Sequence, residues 1–111
     1  VDMAYNERHA EILRNHLTSI QGIKEKKMFG GLCFMLNGNM LCGVHKGGAM
    51  FRVGKDNETA ALAVQGASPL SFTKKKMGGM LDVDDDLLES CERRATLMSL
   101  ALQFVGNLPA K

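Results

Sequence analysis

"FGGLCFMLNGNMLCGV", Phe29–Val44, decides how this chain folds, because Asn37-Gly38 interrupts two runs that hold almost no other polar residue. Asn-Gly suits a type I′ turn, whose two central residues both need positive φ, so the flanking runs are expected to form hairpin strands over Leu32–Leu36 and Asn39–His45. A hairpin with one wet face alternates apolar and polar residues. These runs do not, so both of their faces require cover.

Hairpin register follows loop length, and a two-residue turn pairs Leu36 with Asn39, Met35 with Met40, Phe34 with Leu41 and Cys33 with Cys42. A second turn at Gly47-Gly48 leads into a strand over Ala49–Val53 and pairs Val44 with Phe51 and Cys42 with Val53. One face then collects Cys33, Met35, Met40, Cys42, Val44, Phe51 and Val53, and helices are expected to cover it. The other collects Leu32, Phe34, Leu36, Leu41 and Met50 beside His45 and Arg52. It is too apolar to face water, and a second copy of the chain is expected to cover it, making a homodimer. The alternative is that the short helix after Asp56 or the Pro69 loop folds back over it.

Outward from the hairpin, Tyr5, Ile12, Leu13, Leu17 and Ile20 recur at helical spacing and predict an amphipathic helix over Ala4–Ile20, stopped by Gly22. Ile23–Phe29, "IKEKKMF", alternates loosely and carries three lysines, as an edge strand protected against aggregation would. Asp56 or Asn57 is expected to cap a short helix that ends near Gly66. Pro69–Met77 is expected to be a loop, and Met80–Val83 a last short strand. In the final segment Asp86 stands three residues before Glu89, a capping-box variant. Leu88, Cys91, Ala95, Met98, Leu102 and Val105 line one side of a long helix that runs to Gly106 and is ended by Pro109. Helix, strand meander, short helix, strand and long helix specify an α+β fold. Its two layers are an antiparallel sheet of four to five strands and the N- and C-terminal helices.

With 111 residues, 45% hydrophobic and 23% charged, the chain suits one ordinary globular domain. A net charge of +2 names no partner. No apolar run approaches the roughly 18 residues of a membrane span, and the charged start "VDMAYNERHAEIL" lacks a signal-peptide core, so a cytoplasmic location is expected. Met3-Ala4 resembles a natural beginning, which makes Val1 and Asp2 an expected cloning remnant. Eight methionines against no tryptophan imply a soft, adaptable core.

No chemistry-bearing motif stands out. Cys33 and Cys42, opposed in the expected register, could act as a thiol switch or a soft-metal site. Two small buried hydrophobes is the preferred reading, since no base or cation is at hand to lower a thiol pKa and structural zinc needs about four ligands. Cys91 is expected in the core. His9, His16 and His45 have neither HxxxH spacing nor an acidic partner in a recognised motif, and the paired glycines lack the flanks of a phosphate cradle. No catalytic set, metal or cofactor is therefore expected. Lys24, Lys26, Lys27, Lys74, Lys75 and Lys76 could form a basic patch for nucleic acid. A solvated edge is preferred, because stacking aromatics are not interleaved and Asp82, Asp84, Asp85 and Asp86 follow closely. Those aspartates are assigned to helix capping and dipole stabilisation.

The segments "EKKMFGGLCFMLNGNMLCGV", "FRVGKD" and "LALQFVGNLP" together resemble the TfoX N-terminal domain family, associated with bacterial competence regulators, over about Met3–Pro109. The resemblance implies a compact α+β domain, often dimeric, that contacts another regulatory protein and has no established enzymatic activity. Full-length regulators of this kind carry a further C-terminal domain of DNA-binding-like character. The present residues stop before one, so direct promoter control is not expected of them. Met80 stands where the family often has an aromatic residue.

Overall fold

The computed structural model describes residues 6–28, 31–45, 48–69 and 79–110. Helix α1 spans Glu7–His16 and begins at Asn6, whose Oδ1 accepts the Arg8 N–H at 2.8 Å, so one otherwise unpaired donor of the first turn is satisfied. It ends sooner than the apolar spacing suggests. Residues 17–19 form turns, yet Leu17 stays buried and Ile20 still packs on the core. Strands follow at Ile23–Met28 (β1), Gly31–Leu36 (β2), Asn39–His45 (β3) and Gly48–Arg52 (β4).

Asn37 and Gly38 have φ of 52° and 85°, both positive, as a type I′ turn requires. The register beyond that turn differs from a plain ladder. Leu36 pairs with Asn39 and Met35 with Met40, but Phe34 then pairs with Cys42 and Cys33 with Gly43. Leu41 is the extra residue of a β-bulge, so Leu41 and Cys42 both bury their side chains in the helix-side core. The second hairpin also differs: His45 pairs with Gly48, Val44 with Ala49 and Cys42 with Phe51, which places the expected Gly47-Gly48 turn one residue late.

After β4 a single 3₁₀ turn, Lys55–Asn57, leads into α2, Glu58–Leu62. Neither Asp56 nor Asn57 caps it. Asn57 instead donates its side-chain amide to the Val53 carbonyl at 3.1 Å. The chain next forms β5, Ala67–Pro69, and after the residues outside the description, β6, Met80–Val83. The sheet therefore has six strands, in the order β1-β2-β3-β4-β6-β5, with antiparallel neighbours throughout. Lysine-bearing β1 lies at one edge, and β5 at the other, where Pro69 costs no ladder hydrogen bond. The rest of the expected Pro69–Met77 loop lies outside the described residues.

The expected final helix is two. Asp84, not Asp86, caps α3, Asp85–Glu89, accepting the Leu87 N–H at 2.8 Å. Ser90 is extended, with ψ 112°, and its hydroxyl accepts the Arg93 N–H to start α4, Cys91–Val105. That break resets the buried stripe. Leu97, Met98, Ala101 and Val105 face the core, while Cys91 and Ala95 are exposed. Arg94 spans the break, donating to the Leu88 carbonyl at 2.7 Å and to His16 Nδ1 at 3.2 Å, which ties α1, α3 and α4 together.

All helices lie on one side of the sheet, and their buried side chains meet Leu32, Phe34, Leu36, Leu41, Val44, Phe51 and Val53 in the main core. This corrects the expected division of faces. Leu32, Phe34, Leu36 and Leu41, assigned above to a partner, are 0–6% exposed within this one chain. Fully burying such a side chain is worth about 1.5–3 kcal/mol, so the core has first claim on them. Cys42, Val44, Phe51 and Val53 do face the helices, whereas Cys33, Met35 and Met40 face away with Met50. No helix among the described residues is long and apolar enough to cross a membrane.

The edge strand is pinned by charge. Arg14 of α1 donates to both Glu25 carboxylate oxygens, at 2.7 and 2.8 Å, and also meets Glu11. The hydrogen bonds from Arg14 hold Glu25 below the usual carboxylate range. Because its folded pKa is depressed, Glu25 stabilises the fold above the unfolded carboxylate value of about 4.3, and that contribution disappears as pH falls through the lower folded value. Wild type should thus exceed Glu25→Gln by about 1 kcal/mol or less at neutral pH, the pair being partly solvated, and urea titrations of the two should converge at acid pH.

Gly54 links the end of β4 to α4. Its φ is +86°, and a Cβ there would overlap the Phe104 ring. Gly54→Ala is expected to cost about 2–4 kcal/mol, from left-handed backbone strain plus overpacking, seen as a lower urea midpoint at unchanged slope.

Candidate functional site

The register places two rows of side chains on the sheet face turned away from the helices. Directly opposed pairs share a face, so Lys26, Cys33, Gly43, Met50, Asp82 and Ser68 form one row across all six strands. A second row starts with Lys24, Met35 and Met40, and Arg52 pairs with Met80 farther along the sheet. Cys33, Met50 and Met80 are buried, and the half-buried Met35 and Met40 pack against them. Every member of this cluster lies on a strand and carries sulfur.

Polar groups edge the cluster. His45 Nε2 lies 2.9 Å from Asp82 Oδ1, a pair that joins β3 to β6 across β4. Arg52 stacks on Phe104, its guanidinium carbon 5.5 Å from the ring centroid, and donates to the Met40 carbonyl at 3.4 Å. A cleft of about 300 Å³ opens beside it, lined by Arg52, Gly54, Lys55, Asp56 and Phe104. Elsewhere His9, nearly buried, lies 3.5 Å from Asp85, and burial together with Arg94 lowers the His16 pKa. The acidic partners of His9 and His45 are distant in sequence, so no local spacing could reveal them.

The expected site residues are thus redistributed. Of the proposed interface set, only Met50 lies on the outer face, together with the expected margin residues His45 and Arg52. The proposed basic patch is divided, with Lys24 and Lys26 on the outer face and Lys27 beside Leu32 on the other. Lys74, Lys75 and Lys76 lie outside the described residues. Asp84, Asp85 and Asp86 serve the start of α3, whereas Asp82 belongs to the outer row. Among the described residues no three His, Cys, Asp or Glu side chains converge as metal ligands.

A family model, the TfoX N-terminal domain, matches residues 15–105. The chain belongs to the TfoX N-terminal domain family. The match covers the hairpin, both sheet edges and α4, so the bulged sheet and its outer face lie wholly within the family's domain. Neither curated proteins nor solved structures return a significant match.

The three thiols of this TfoX-type domain have different surroundings. Cys42 sits in the helix-side core and Cys33 on the outer face, so they are not opposed as the plain ladder implies. Burial pushes both thiols up, Cys42 further than Cys33. A disulfide needs converging Cβ vectors, and here they diverge across the sheet. A thiol reagent at pH 8 should modify only exposed Cys91 rapidly, with Cys33 and Cys42 reacting after denaturation. Mild oxidation should yield no Cys33–Cys42 bridge, as peptide mapping by mass spectrometry would show.

Proposed function

We propose that the chain is a non-enzymatic regulatory interaction module of the TfoX competence type, which pairs with a second copy through the outer face of its sheet. The paired domain then engages a further regulatory protein. The observation that carries this reading is the row from Lys26 to Asp82, centred on Gly43.

A two-fold axis running along β3 at Gly43 would lay β1 of one copy over β6 of the other. Lys26 then meets the partner's Asp82, and the half-buried Met35 and Met40 supply the apolar contact. Two sheets pack face to face at about 10 Å, a spacing that long, flexible methionine side chains can fill from either side. Such an interface is isologous, so each favourable charge contact occurs twice. Lys26 is thereby accounted for by the partner's carboxylate, without nucleic acid.

Light scattering at micromolar concentration tests the reading. Wild type should be a dimer, and Lys26→Glu and Asp82→Lys should each be mainly monomeric, because each homodimer opposes like charges twice. Their equimolar mixture should recover the dimer, since the altered pair and the native pair are then both complementary. A monomeric wild type, or a Lys26→Glu protein that dimerises as wild type does, would overturn it.

A further inference from the structure

The helix-side core and the outer cluster solve the same packing problem with different atoms. Of 21 buried residues in the core, one is methionine, Met98, and one is cysteine, Cys42. Among the described residues the outer cluster is Cys33, Met50 and Met80 with Met35 and Met40 against them, five sulfur side chains and no aliphatic one. Apolar packing alone does not ask for this, because leucine, valine and phenylalanine dominate the other face of the same strands. The sulfur is concentrated where five separate sequence positions, on four strands, converge.

We infer that this cluster is a binding site for a soft monovalent metal ion, copper(I), with the Cys33 thiolate and methionine thioethers as ligands. Thiolate and thioether sulfur select Cu(I), while harder divalent ions seek imidazole, carboxylate or water. The charge balance suits the place. A Cu(I) ion bound by one thiolate and neutral thioethers is a neutral unit, whereas a divalent ion there would leave net charge on an apolar face. Binding forms a copper–sulfur bond at Cys33 as its S–H bond breaks, and the proton passes to solvent; no oxidant or reductant takes part.

Gly43 provides the space. A Cβ at that position would lie 3.1 Å from the Met50 terminal methyl and 3.2 Å from the Cys33 Cα. The Met50 side chain therefore lies over Gly43 of β3, in the same row as Cys33. Met35 and Met40, directly opposed and half-buried, pack against this pair, and their flexible side chains give an ion entry. All five sulfurs belong to one chain, so the site does not require the homodimer proposed above.

The test uses the full chain carrying Cys91→Ser, so that the exposed thiol cannot bind metal. Anaerobic titration with Cu(I) buffered by a colorimetric chelator should show one ion retained per chain. Silver(I), a redox-inert analogue, should shift the methyl NMR signals of Met35, Met40 or Met50 and leave Met98 in place. Cys33→Ala should weaken binding on the order of a hundredfold, the upper end of what changes around a metal's ligands cost, and Met40→Leu should weaken it less. Leucine is close in volume to methionine, so the Met98 signal of Met40→Leu should stay at its native position and show that the fold is intact. Failure to retain Cu(I), binding unchanged by Cys33→Ala and Met40→Leu together, or a silver shift confined to other methionines would overturn the site.

Discussion

One extra residue in β3 governs the arrangement of everything packed on the sheet. In an unbulged hairpin Leu32, Phe34, Leu36 and Leu41 would share one face, and Cys33, Cys42, Val44 and the large Phe51 the other. Two strong apolar faces would then compete for a single layer of helices. By accommodating Leu41 as a bulge, β3 turns Cys42 and Val44 to the same side as Phe34, and both apolar sets join one core. The bulge leaves a locally unpaired stretch of ladder. Against that stands burial of several large side chains, each worth about 1.5–3 kcal/mol, so the bulged register is favoured.

What remains on the other face follows from the same shift. Gly43, two residues past Leu41, takes the central outward position, and its missing side chain lets the Met50 methyl lie over β3. The outer face is thereby left with methionines, Cys33 and a charged rim instead of branched aliphatics. A unique core favours side chains with few rotamers, and the helix-facing side has them. Methionine keeps three rotatable bonds and fills irregular gaps, which suits the pairing proposed for this face. The edges obey a separate demand. Lysines on β1 and proline on β5 discourage further strand pairing, which leaves the broad face rather than the rim for association.

Local chemistry was legible in the sequence, and long-range geometry was not. Asn37-Gly38 identified the turn and the strands beside it, because positive φ at two successive residues is a strictly local requirement. The lysines of β1 likewise marked an edge. The bulge could not be seen, since it answers competition between two faces for the same helices, and β5 has only three residues, one of them proline. The single helical stripe drawn through Leu88 and Cys91 ignored Ser90, whose hydroxyl can start a new helix as readily as it can sit within one. Asp84 was overlooked as a cap in favour of Asp86 for a related reason: several aspartates in succession all offer a carboxylate, and only the backbone angle at the helix entry selects among them. The candidate site failed at the same step. The convergence of the methionines depends on the register, and an unbulged ladder puts Met35 and Met40 on the side opposite Met50.

The two readings of the outer face are linked thermodynamically. In the proposed dimer the half-buried Met35 and Met40 face the partner, so a soft metal ion held among them would sit differently in the paired and the single chain. A ligand that binds the paired state more tightly than the single chain strengthens pairing, and by reciprocity pairing strengthens binding by the same factor. A tenfold preference corresponds to about 1.4 kcal/mol, comparable to a favourable charge contact at the rim. The metal would then bias association without altering the fold, since none of its ligands belongs to the helix-side core. If the ion bound both states equally it would leave pairing unchanged, however tight its own binding. The decisive quantity for the proposed pairing is therefore the difference between the metal affinities of the Lys26→Glu chain and wild type, rather than either affinity alone.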